Sequence, residues 1–142
     1  MTNQRAIYLL LAAILLLLIG IGIYFFFRTP IIAFSIFHIE PLESIADNKN
    51  NPYIYFLLFC LPDALWYMSL LLVQILFLKE TGRLNRLLVG IAISLPFLLE
   101  TCQYIGLISG TFDWFDIVTY FFTLILFLCL RKTSLLSPYK SS

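Results

Sequence analysis

The chain has 142 residues, 61% hydrophobic, 17% aromatic and 12% charged, with a formal net charge of +1. An average soluble domain carries about a quarter charged residues, so this chain, long enough for one domain, is too poor in charge to clothe itself in a soluble surface. A disordered tail, a nucleic-acid binder and a disulfide-stapled secreted module all fit poorly.

The first apolar run covers 6–27, 22 residues without a charge. At ~1.5 Å per residue it reaches roughly 33 Å, enough to cross a ~30 Å hydrocarbon core. It exceeds the apolar region of a cleaved leader, about 7–15 residues. It runs into Phe25-Phe26-Phe27-Arg28-Thr29-Pro30 with no small-x-small cleavage site. A retained anchor is expected.

Residues 29–52 form a loop of mixed character. The stretch 31–39 is apolar but too short to span, and is expected to lie in the membrane interface. Residues 47–52 are turn-rich. His38, the single histidine, reads as a surface or packing residue.

The second run, 53–78, is interrupted by Pro62-Asp63. Proline and an acid suit the first turn of a helix, so a span starting at Pro62 is one option. A continuous helix from 53, kinked at Pro62, is the other, and is the expectation taken forward. It would place Asp63 ~15 Å deep by helical rise. The third run, 87–108, contains Pro96 and Glu100, and the fourth, 113–130, stops at Arg131-Lys132.

Basic residues collect on the cytoplasmic side of membrane proteins. With both termini inside, Arg5, Lys79, Arg83, Arg86, Arg131, Lys132 and Lys140 are cytoplasmic and only Arg28 and Lys49 are outside. Of the acids only Glu80 is then inside. Glu40, Glu43, Asp47, Asp63, Glu100, Asp113 and Asp116 face outward or lie in the outer parts of spans. The inner side carries seven bases against one acid, and the outer side two bases against seven acids.

Ionisable groups inside a span are costly and usually face the protein interior or a wet cavity. Glu100 is expected ~12 Å from the outer end of its helix, with Gln103 and Tyr104 at i+3 and i+4 on one face. Pro96, one turn earlier, leaves a backbone carbonyl without its partner, which a polar neighbour can satisfy. Asp113 suits a helix cap and Asp116 its first turn, which would account for both acids structurally. The other reading sets them in one outer layer with Glu100, Asp63, Trp66, Tyr67, Gln103, Tyr104 and Thr111. Carboxylates beside aromatic faces can hold a cation or a polar headgroup. Trp114 is placed as an interface anchor.

Gly90 and Ser94 form a small-xxx-small pair, and Gly20 and Gly22 lighten the first span, which reads as helix packing. Cys60, Cys102 and Cys129 fall in three spans without metal-ligand spacing and read as buried free thiols. No serine or cysteine sits in a recognisable nucleophile motif. The outer polar layer holds no Arg or Lys to clamp a phosphoryl group. No cofactor is expected, and enzymatic activity is not the leading reading.

The segment Glu100-Thr-Cys-Gln103-Tyr-Ile-Gly-Leu-Ile-Ser-Gly110-Thr111-Phe112-Asp113-Trp-Phe-Asp116 resembles the signature of the VanZ-like membrane family. That pattern is Glu-x-x-Gln near the end of one span, a short polar link, then an Asp opening the next. Glu100, Gln103 and Asp116 match. The family's Arg in the link is replaced by Gly110-Thr111, and its Asn four residues after the Asp by Tyr120. The glycines usual later in its last span are absent. The resemblance implies a small multi-span bacterial envelope protein, from a family some members of which are linked to teicoplanin resistance. It brings no reaction with it.

The expectation is an all-α integral membrane protein of one domain. It has four transmembrane helices, cytoplasmic termini and an outer loop with an interfacial segment, and it sits in a bacterial cytoplasmic membrane. Glu100, Gln103, Asp113, Asp116, Asp63, Trp66, Tyr104 and Thr111 would line an outward-facing site for a lipid headgroup, a cell-envelope intermediate or a cation. The bilayer is the first partner; a homodimer or another membrane protein is a second, and nucleic acid is not one. Competing readings are a dimeric transporter using Glu100 as a proton or cation site, a metal-carboxylate enzyme, and an assembly subunit in which the polar residues only join helices.

Overall fold

Without water to bond to, a backbone crossing a bilayer must satisfy its own N–H and C=O groups, and a helix does so within one segment. The four apolar runs obey this. The computed structural model describes residues 3–27, 51–77, 82–109 and 112–132. These contain α1 (Asn3–Phe27), α2 (Pro52–Tyr55), a π-helical turn (Phe56–Cys60), α3 (Leu61–Phe77), α4 (Arg83–Tyr104) and α5 (Trp114–Lys132). Four stretches are long and apolar enough to cross a membrane: Gln4–Tyr24, Pro52–Leu76, Arg83–Tyr104 and Trp114–Lys132. The described residues are therefore all-helical, and the chain is a multi-pass membrane protein. The interfacial segment expected at 31–39, His38 and Thr111 lie outside the described residues.

The second span runs unbroken through Pro62. Asn51 caps it, accepting a hydrogen bond from the Tyr53 N–H at 3.0 Å, and Pro52 takes the first helical position. A proline ring crowds the carbonyl four residues back. Here the helix widens just before it, and the Leu61 N–H donates to the Phe56 carbonyl, five residues back. The π turn thus gives Pro62 room inside a continuous helix. Asp63 lies eleven residues beyond Pro52, roughly 16 Å along the axis.

α4 ends four residues before the expected 108. The stop is Gly106, at φ +73°. Its N–H donates to the Gln103 carbonyl at 3.0 Å, and the Leu107 N–H to the Cys102 carbonyl at 2.8 Å. This is the Schellman motif, with glycine in the left-handed position that other residues disfavour. Glu100 consequently sits only one turn from the end of its helix, about 6 Å by rise and half the depth expected.

Cross-helix contacts set the topology. Ser69 Oγ donates to the Ala13 carbonyl at 2.8 Å. Nearer the start of the same span, Gly20 lies against Pro62. α1 and α3 are therefore antiparallel. Tyr67 donates to the Ile93 carbonyl at 2.8 Å, beside the Ala92 carbonyl that Pro96 leaves without its intrahelical donor. Tyr67, Phe97 and Tyr120 meet edge to face with centroids 5.7–6.3 Å apart. Tyr67 and Leu71 are wholly buried at the centre. The second span is the most enclosed of the four.

The small residues divide. A Cβ on Gly20 would come within 3.1 Å of the Pro62 carbonyl oxygen, whereas one on Gly22 or Gly90 would meet nothing within 4 Å. Gly90 and Ser94 thus do not pack inside this bundle as expected, and the Ser94 hydroxyl instead bonds back to the carbonyls of Gly90 and Ile91. Of the three free thiols only Cys60 is fully buried, and Cys129 is exposed. Gln74 is buried to 7% exposure, with its Nε2 unpaired among the described residues.

Gly20→Leu is expected to destabilise the protein by about 1–3 kcal/mol through overpacking against α3, and Gly22→Leu to leave it unchanged. Reversible unfolding in mixed micelles measures both. In the same assay Gln74→Met, of similar shape, is expected to raise stability by about 1 kcal/mol, because a buried unpaired donor is removed.

Candidate functional site

One end of the bundle gathers carboxyl groups. α5 starts with Asp113 as its cap, whose Oδ1 accepts from the Phe115 N–H at 2.8 Å. The Asp116 N–H donates to the Asp113 carbonyl at 3.2 Å. Asp113 and Asp116 thus share the first turn, where the positive helix end favours acids. Asp116 is 7% exposed. Glu100, from the last full turn of α4, is 5% exposed, and its Oε2 accepts the Asp113 N–H at the long distance of 3.4 Å. The second oxygen of Asp113 accepts the Tyr55 hydroxyl, reaching across from the start of the second span.

Beneath this lies a small polar layer. Tyr55 stacks on Phe59 at 5.0 Å and meets Phe115 edge-on at 5.8 Å. Cys60 is 1% exposed, with its thiol in hydrogen-bond reach of the buried Thr119 side chain and within electrostatic reach of Asp116, Asp113 and Asp63. The three helix ends that meet here are the start of the second span, the end of α4 and the start of α5. The described basic residues, Arg5, Arg83, Arg86, Arg131 and Lys132, lie at the opposite ends of these antiparallel helices. Carboxyl groups so enclosed persist as neutral acids or with a cation beside them. No group of three or more His, Cys, Asp or Glu among the described residues is disposed to hold a metal ion.

Of the residues singled out from sequence, the fold joins Glu100, Asp113 and Asp116. Asp63 is half-buried one turn beyond Cys60. Trp66 packs against the hydrophobic core around Tyr67 and Leu71. Gln103 is half-buried, with its carbonyl engaged by Gly106. Tyr104 is 70% exposed and turns away from the acids, meeting Phe112 at 5.1 Å in a chain of rings that continues to Trp114. Tyr120 is a core aromatic whose ring meets those of Tyr67 and Phe97. Tyr55, Cys60 and Thr119 were not among the sequence candidates. No spacing links Tyr55 to Asp113, which is 58 residues away.

No family model, curated protein or solved structure matches this chain.

Asp113→Ala is expected to cost about 1 kcal/mol through loss of the cap. Asp113→Asn, whose amide oxygen caps equally well, is expected to recover most of it. Amide exchange at Phe115 and Asp116 reads the change locally, faster in the alanine variant and near the parent rate in the asparagine variant.

Proposed function

We propose that this chain is a VanZ-like protein of a bacterial cytoplasmic membrane. In this reading its termini are cytoplasmic and its acidic end faces outward. That end binds the polar, positively charged part of a lipid headgroup or cell-envelope intermediate, or a free cation, without catalysis. One observation carries the reading. Glu100 and Asp116, from two different helices, are each more than nine-tenths buried at the same end and bracket Asp113, while the described bases lie at the other end. An apolar chain that keeps two carboxyl groups in such surroundings retains them against a cost of several kcal/mol per charge, and in spans such groups generally serve a ligand, ion or proton path. The rings of Tyr55, Phe59 and Phe115 add aromatic faces that attract cations. Charge asymmetry along the chain supports the orientation, and the match of Glu100, Gln103 and Asp116 to the VanZ-like pattern supports the family.

The contact from the Asp113 N–H to Glu100 also favours a second reading, in which the carboxyl group only brackets α4 to α5.

Native mass spectrometry of the protein released from mild detergent separates the two. A bound mass on the wild type, lost in Glu100→Gln and Asp116→Asn but retained in Gln74→Met, is the expected result. Folded wild type and Glu100→Gln with identical, adduct-free spectra would overturn the binding reading in favour of the bracket.

A further inference from the structure

We infer that the stretch of the second span before Pro62 is a hinged strap closing over the acidic end, with Tyr55 as its latch. Three features coincide at one level of the bundle. The π turn Phe56–Cys60 replaces the regular ladder with a wider one, a local geometry frequent at functional sites. Pro62 donates no backbone hydrogen bond, so the ladder is interrupted again at the next turn. On the opposite side Gly20 lets α1 approach the Pro62 carbonyl so closely that even a Cβ would fall at 3.1 Å. The span beyond Pro62 is clamped: Gly20 holds Pro62, Ser69 bonds to α1 and Tyr67 bonds to α4. The stretch before it has no such backbone clamp: Tyr53, Phe56 and Leu57 face outward at 83%, 51% and 51% exposure, and only Leu58 and Cys60 turn fully inward, at 3% and 1%.

Beside the packing of Leu58 and Cys60, one polar contact ties this stretch down, and it is chemically specific. The Tyr55 hydroxyl donates to Asp113 Oδ2, while Oδ1 of the same carboxylate is committed to the α5 cap. The latch therefore ties the strap to the first turn of α5, where Asp116 also sits. Bending at Pro62 would lift Tyr55 from Asp113 and uncover Cys60 and Thr119, 1% and 8% exposed when the strap is down. The consequence for entry to the acidic end rests on the binding reading above; the motion itself does not.

Cys60 is its own reporter. With Cys102→Ser and Cys129→Ser removing the other thiols, N-ethylmaleimide modification of the full chain in lipid nanodiscs reports opening. Tyr55→Phe is expected to raise the labelling rate roughly tenfold, the effect of losing one hydrogen bond to a charged acceptor. Tyr53→Phe, on the same stretch but pointing out, is expected to stay within about twofold of the parent. A folded Tyr55→Phe variant that labels at the parent rate would overturn the proposal. If that variant does not fold, amide exchange of the parent decides. Residues 53–60 exchanging together and well ahead of 64–76 uphold the strap, and equal protection of the two stretches overturns it. Neither assay contains a ligand, so a failure here leaves the mass-spectrometric test of binding untouched.

Discussion

The second span hydrogen-bonds to each of the other three helices. Ser69 reaches the Ala13 carbonyl of α1, Tyr67 the Ile93 carbonyl of α4, and Tyr55 the Asp113 carboxylate at the head of α5. In water such bonds exchange with solvent and add little. In hydrocarbon no such exchange is available, and packing and polar contacts replace the hydrophobic effect as the force between helices. Each bond alone is modest, on the order of 0.6–1.7 kcal/mol in a membrane. What matters is that all three originate from one helix. They fix its rotation, and with it which residues of the other helices face inward.

Both prolines inside spans fall on this hub or against it. Each breaks a helical ladder in a medium that cannot repair it, and each break is answered differently. Pro62 is accommodated by a π turn within its own helix. Near Pro96 the Tyr67 hydroxyl bonds the Ile93 carbonyl, next to the Ala92 carbonyl that loses its intrahelical donor. The Tyr67 bond ties α4 to the core, whereas the π turn is a local change within the second span.

The acidic end follows from the same architecture. Asp113 has two roles: one oxygen starts α5 and the other takes the Tyr55 hydroxyl. Its backbone N–H meets Glu100, so two helices and the head of a third converge on one residue. Asp116 suits the first turn of α5, whereas Glu100 lies near the end of α4, where the helix dipole gives an acid no support, and its burial is what the proposed ligand reading rests on.

Apolar run lengths and charge spacing are local properties, so the number of spans, their approximate bounds and the split of acids from bases were legible in the chain itself. The Asp113 cap was legible for the same reason, since a cap is settled by its own next two residues. The end of α4 was also written locally, in Gly106. The apolar residues 105–108 masked that signal, because hydropathy continues where the helix does not. The continuity of the second span through Pro62 was the sequence expectation, and a π turn within that helix permits it. The inward face of Gly20 and the outward face of Gly90, the exposure of Tyr104, and the pairing of Tyr55 with Asp113 were decided only by tertiary structure. Each depends on which residue of another helix arrives opposite, across 58 residues of sequence in the case of Tyr55. Helical periodicity says which residues share a face; only the packed helices say what that face meets.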